Sequence, residues 1–176
     1  MEISLGVLPL NRLLKLYGEV LDELLRRNIC RSTNNPVADL AELQVIEALD
    51  LKRAPKSTKG FDAIDSDGQR YEIKSRRITS HNRSRMLSAI RDCETRHFDY
   101  LAGVLFREDF SFDKACLVPF EVVHRRSTCR QHVNAHIFQL KNDLWATPGV
   151  RDISSQIASV LVRLDAMSSE ARAVSA

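Results

Sequence analysis

The stretch KGFDAIDSDGQRYEIKSRR, Lys59 to Arg77, decides how this chain is read. Two short runs flank Ser66, Asp67 and Gly68, the composition of a β-hairpin turn. The runs also carry Asp62, Glu72 and Lys74, charges on strands otherwise suited to a core. Two registers are open. A two-residue loop at Asp67 and Gly68 pairs Ile64 with Tyr71 and sets Asp62 opposite Ile73, on the face away from Glu72. A three-residue loop, with Gly68 in the left-handed conformation, pairs Asp65 with Gln69 and Asp62 with Glu72. The second is favoured, because it gathers Phe61, Ala63, Tyr71 and Ile73 on one face and Asp62, Glu72 and Lys74 on the other.

Directly opposed side chains lie about 5 Å apart at Cβ, so two opposed carboxylates repel. A divalent cation between them removes the conflict, and Mg²⁺ accepts such hard oxygen ligands while keeping several waters. Lys74 follows Glu72 on the same face, roughly 6.6 Å along the strand. Its ammonium can reach a water near the cation, or charge developing on a phosphate, without occupying the metal. The hairpin therefore reads as a candidate metal site.

Outward from the hairpin, Asn35 and Pro36 open a helix that runs to about Leu51. Its apolar stripe is Ala38, Ala41, Val45, Ile46, Ala48 and Leu49, and Glu42 falls inside it. A carboxylate pressed toward a core needs a cation as partner, which makes Glu42 a further candidate ligand, directly or through water. Leu10 to Arg27 has helical apolar spacing, an added layer in front of the core. After the hairpin come a basic loop, RRITSHNRSR, and a short helix over Arg85 to Asp92. Strands are expected at Phe98 to Phe106 and in ACLVPF, a helix over Glu121 to Ser127, and a short strand in AHIFQL. A closing helix over 152–165 and a flexible tail, 168–176, complete one domain over 1–167 with its core at 36–140. The class is α/β: a central mixed sheet flanked by helices, plus the N-terminal helix 10–27.

Composition is that of a globular protein, 44% hydrophobic and 28% charged in 176 residues, with net charge +3. Between Arg70 and Arg91 there are seven Lys or Arg and one acid, Glu72, which suits a phosphate-rich partner. Arg76, Arg77, His81, Arg83 and Arg85 are candidate phosphate contacts after the hairpin, and Ser57 and Lys59 before it. The four cysteines, Cys30, Cys93, Cys116 and Cys129, match no disulfide scaffold and suit a reducing, cytoplasmic compartment. The N-terminal residues lack the basic start and long apolar core of a signal peptide, and no membrane span is expected.

With these residues in place, FD…YEIK resembles the PD-(D/E)xK, or restriction-endonuclease-like, nuclease superfamily. Nine residues separate Asp62 from Glu72, Lys74 completes the E-x-K, and Glu42 resembles the extra helical acid of many members. The wider stretch from NNPVADLAEL to YEIKSRR also resembles uncharacterised bacterial restriction-related proteins. The resemblance implies a core of helix, three strands, helix and strand, and Mg²⁺, replaceable by Mn²⁺, held by Asp62, Glu72 and the Ile73 carbonyl. It implies that Lys74 assists the attacking water, that Ser75 faces substrate, and that DNA is cut, with RNA as the other substrate class and a homodimer by analogy. Phe61 stands where such motifs often have proline.

Two rivals stand beside a nuclease: a nucleic-acid-binding protein of the same fold without cleavage, and a structural protein in which Asp62 pairs with Lys74. HRRSTCRQHVNAH brings His124, Cys129, His132 and His136 close in sequence, but C-x2-H-x3-H is not a zinc pattern of any strength. Trp145 beside a turn reads as a lid on the core.

Overall fold

A computed structural model describes residues 4–55, 58–131, 134–160 and 162–164. In chain order these form α1 (Leu10–Arg26), α2 (Val37–Leu49), β1 (Lys52–Arg53), β2 (Ala63–Ile64), β3 (Arg70–Arg77) and β4 (Ile90–Arg91). There follow β5 (Tyr100–Phe106), β6 (Phe112–Pro119), α3 (Phe120–Arg126), β7 (Thr128–Arg130), β8 (Ala135–Ile137) and β9 (Arg151–Asp152). Residues 154–160 and 162–164 are helical. The tail at 168–176 lies outside the described residues, as do Ser57 and His132.

Six strands make one mixed sheet in the order β1-β2-β3-β5-β6-β9, and β4-β8-β7 make a small second sheet. Alternation along the central strands sorts side chains onto two cores. Ala102, Val104 and Phe106 of β5 join Ala115 and Leu117 of β6 under Ala41, Val45 and Ile46 of α2, with Ile153 and Ile157 beside them. Leu101, Leu105, Cys116 and Val118 point the other way, to Phe120 and Val123 of α3 and to Leu87, Ile90 and Phe138 around the second sheet. Full burial of each such aliphatic or aromatic side chain stabilises the fold by about 1.5–3 kcal/mol. Gly103 lets the second layer close: a Cβ there would meet Leu140 Cδ2 at 2.7 Å. All four cysteines are free, and Cys30, Cys93 and Cys116 are buried.

The mixed α/β sheet with flanking helices and the N-terminal helix match the sequence reading. Asn35 Oδ1 accepts the Val37 N–H, 3.1 Å, so it does cap α2. The helix stops at Leu49 because Asp50 turns left-handed, φ 51°. Trp145 does lie over the second core, with Lys114 Nζ 4.1 Å from its ring centroid.

Two expectations are corrected. Arg85 to Asp92 is not a helix. Leu87, Ile90 and Cys93 recur at helical spacing and are buried, but the backbone here pairs with residues 135–140 instead. The Leu87 N–H donates to Phe138 O, the Leu140 N–H to Arg85 O, and Ile90 lies opposite His136. The crossover from β3 to its parallel neighbour β5 thus carries β4 and a 3-10 turn, Cys93–Thr95, where a helix was expected. Phe61 is the second correction. It packs with the α3-side core rather than with Ala63, Tyr71 and Ile73. Gly60 has φ 87° and the chain bends at Asp62, so strand alternation begins only at Ala63.

Candidate active site

The hairpin adopts the three-residue loop. Ala63 lies opposite Tyr71 and Ile64 opposite Arg70, which sets Asp65 against Gln69 and leaves Asp62 just outside the paired strand, before Ala63. The Asp65 N–H donates to Gln69 O, 3.1 Å, and the Gly68 N–H to Asp65 O, 3.2 Å. Gly68 has φ 82°, the left-handed value that glycine adopts without a Cβ penalty. Asp65 locks the turn from inside: Oδ1 accepts the N–H groups of Asp67 and Gln69, and Oδ2 accepts the Tyr71 hydroxyl at 2.8 Å.

Asp62 stands at the margin where β2 gives out. Its N–H donates to Tyr71 O at 2.7 Å, and its Oδ2 accepts the Ile73 N–H at 2.7 Å. N–H and C=O of one strand residue point to the same side, so the Ile73 carbonyl faces this same edge. Glu72 is buried, 8% exposed, and its carboxylate forms an ion pair with Lys74 Nζ. Lys74 therefore pairs with Glu72 and not, as the structural rival supposed, with Asp62.

Three carboxyls here are held above their ordinary range. Burial raises Asp62, opposed by the Ile73 N–H and by the charges of Lys74, Arg31 and Arg53. Burial likewise raises Glu72; Lys74 counteracts this and the Asp62 charge adds to it. Glu42, on α2, is raised by burial and then by Asp62. Asp62 is thus the acid whose charge acts on both others. Like charges gathered in a desolvated place are an arrangement that a bound cation relieves.

Among the described residues, no three His, Cys, Asp or Glu side chains are placed to hold one metal ion. The donors on offer are the Glu72 carboxylate on β3, the Asp62 carboxylate just ahead of β2 and the Ile73 carbonyl, all hard oxygens of the kind Mg²⁺ takes with water filling the remaining positions. Glu42 has other partners: its Oε2 lies 3.4 Å from Arg31 Nη1 and 3.4 Å from Arg53 Nη1.

These two arginines escaped the sequence reading. Arg53 lies in β1 opposite Ala63, one residue from Asp62, so pairing of LKR with the hairpin was the available signal. Arg31 belongs to the polar link before α2, which is pinned when the Arg31 and Ser32 N–H groups donate to Asp39 Oδ2. Arg31, Asp39, Thr58, Phe61 and Asp62 line an open cavity of about 230 Å³ at the site.

The candidate phosphate contacts divide. Ser75 Oγ donates to Val37 O, 3.2 Å, and so faces α2 rather than the side of Lys74. Arg77 shares that side, its guanidinium 4.2 Å from the Phe110 ring centroid. Arg76 alternates to the Lys74 side, where its Nε donates to Ser84 O. Lys59, His81 and Arg83 are exposed, and Arg85 binds Asn142 Oδ1. His124 and His136 serve elsewhere: each approaches Glu94, with His136 Nε2 at 3.1 Å, and Ser127 Oγ lies 2.7 Å from His136 Nδ1. His97, which the sequence reading passed over, does act on the site, its charge opposing the upward shift of Glu72.

Among the described residues no helix is long and apolar enough to cross a membrane. The chain matches no protein-family model, and no curated protein matches it.

Proposed function

We propose that this chain is a Mg²⁺-dependent nuclease of restriction-endonuclease-like fold that hydrolyses DNA phosphodiester bonds internally. The observation that carries the reading is the margin of the hairpin: the Asp62 carboxylate on the Ile73 N–H, its charge acting on Glu72, and Lys74 on the Glu72 carboxylate. Asp62, Glu72 and the Ile73 carbonyl would hold the ion. A divalent cation supplies charge neutralisation to a phosphodiester and makes water more acidic. Asp62 is fixed for its part by the Ile73 N–H. Lys74 trades its bond to Glu72 for water or for a phosphate oxygen, where its charge offsets that of the transition state. Arg31 and Arg53, held by Glu42, add positive charge beside the site. Arg76 and the exposed loop with His81 and Arg83 track the nucleic-acid backbone.

The test uses supercoiled plasmid, linear DNA and RNA, each with Mg²⁺, Mn²⁺ or EDTA. Wild type nicks plasmid in either metal and is silent in EDTA. Asp62→Ala, Glu72→Ala and Lys74→Ala each lose about a hundredfold or more in rate, and Lys74→Ala still binds DNA. Cleavage that persists in Asp62→Ala defeats the assignment. The Glu72–Lys74 ion pair favours one alternative, a protein of the same fold that binds nucleic acid without cutting it, because it neutralises an acid and the lysine together. That reading expects DNA binding indifferent to EDTA and no nicking under any condition.

A further inference from the structure

Helix α1 carries Leu10, Leu13, Leu14, Tyr17, Val20, Leu21 and Leu24, the spacing of a helix that covers apolar surface. Among its described residues only Leu21 is buried. Leu10, Leu14, Tyr17 and Val20 remain 72%, 62%, 58% and 55% exposed, and Leu5 and Val7 just ahead of the helix are 57% and 80% exposed. Together these six present roughly 700 Å², above the ~300–600 Å² of the largest apolar patch on a typical monomer. It is close to the ~800 Å² that each partner contributes to a standard protein interface.

The same surface contains a hollow. Beside the second half of α1 lies a largely apolar cavity of about 510 Å³, lined by Val20, Leu24, Ile29, Leu40 and Phe110 among others. Leu5, Val7, Leu10 and Leu14 thus project toward one end of α1, and the concavity, which Tyr17 and Val20 also line, lies toward the other. Such a surface fits a second copy of itself turned end for end, the isologous arrangement that closes after two chains.

Charge does not set the orientation: Arg12, Lys15, Glu19, Asp22 and Glu23 lie on the helix face away from the apolar stripe, and Glu23 is paired with Arg26 and Arg27 of its own chain. The shape of the surface alone selects the end-for-end arrangement.

We infer that α1 is a self-association surface, through which two copies of the chain pair antiparallel with the two-fold axis near Tyr17. Leu5, Val7 and Leu10 of each copy lie toward the hollow beside Val20 and Leu24 of the other. The inference rests on α1 and its hollow, and stands whether or not the hairpin acids cut DNA.

Sedimentation and light scattering over a wide concentration range test it. Wild type runs at twice the monomer mass, and Leu14→Glu with Tyr17→Glu runs as a monomer with unchanged far-UV circular dichroism, since both residues are exposed. For orientation, single cysteines are placed in a Cys129→Ser background and oxidised. Tyr17→Cys cross-links to itself. Leu10→Cys does not, because its two copies stand about 21 Å apart in the antiparallel pair, but it links to Leu24→Cys. Wild type at monomer mass at every concentration overturns the inference. So does a dimer that survives the double glutamate variant, or self-linking of Leu10→Cys as efficient as that of Tyr17→Cys.

Discussion

Replacing Asp62 with Asn separates a strained metal site from an ordinary ion-pair network. The amide keeps the size of the side chain, and its Oδ1 still accepts the Ile73 N–H. What disappears is a negative charge close to those of Glu72 and Glu42. Two charges about 5 Å apart repel by about 3 kcal/mol at an effective dielectric constant near 20. Lys74, Arg31 and Arg53 offset most of that, yet burial holds the Asp62 carboxyl above its ordinary range, so the net sign of its charge is unfavourable. A net gain of about 1 kcal/mol for Asp62→Asn at neutral pH corresponds to roughly 2–4 °C in Tm for a domain of this size. The pH dependence follows from the raised carboxyl. Its favourable contribution is full below the unfolded carboxylate range, near pH 4, and is lost as pH rises through the folded value. Asp62→Asn therefore gains its advantage between acid and neutral pH, and the two proteins converge at the acid end. Mg²⁺ at ten times its Kd adds about 1.4 kcal/mol to wild type and less to the variant. Differential scanning fluorimetry in EDTA and in Mg²⁺ measures all of this. An Asp62→Asn protein that melts below wild type in EDTA at neutral pH refutes the reasoning, because the carboxylate would then be a stabilising ion-pair partner.

Gly68→Ala and Gly60→Ala place a Cβ on positive φ in both cases, 82° and 87°, but in different surroundings. Nothing lies within 4 Å of the first, whereas the second meets His97 Cβ at 2.2 Å. Urea denaturation should show a cost of about 1 kcal/mol for Gly68→Ala and a clearly larger one for Gly60→Ala. Arg53→Ala removes one of the two cations on Glu42 and should lower stability by about 1.5 kcal/mol near neutral pH. The loss should shrink in acid, as Glu42 protonates, when the same denaturation is repeated there. Arg83→Ala should weaken DNA binding evenly across sequences and reduce the slope of log affinity against log salt by about 1, read by fluorescence anisotropy.

The hairpin was legible because its information is local. Three residues, ending in a glycine able to turn left-handed, fix which side chains oppose one another. Alternation along β3, β5 and β6 and the Asn35 cap of α2 were legible for the same reason. What the sequence hid depends on distant segments. Leu87 and Ile90 keep a helical spacing, and only the strand at 135–140 draws them into extended pairing. Ser75 follows the lysine in the motif, yet strand alternation turns it to the Val37 carbonyl. Arg31 and Arg53 reach Glu42 across 11 residues on either side, a relation no window on the chain displays. The electrostatic partners of the candidate site were therefore less readable than its acids.

The parallel pairing of β3 with β5 has a kinetic consequence. Those strands are joined through residues 78–99, so their ladder must wait for a long loop to close. Asp62 and Glu72 meet across a loop of three residues and need not wait. Contacts close in sequence form early, and non-local pairings limit the speed of folding. The repulsion between the acids is then already present at the barrier. Its relief in Asp62→Asn should appear mainly as faster refolding, with little change in the unfolding rate.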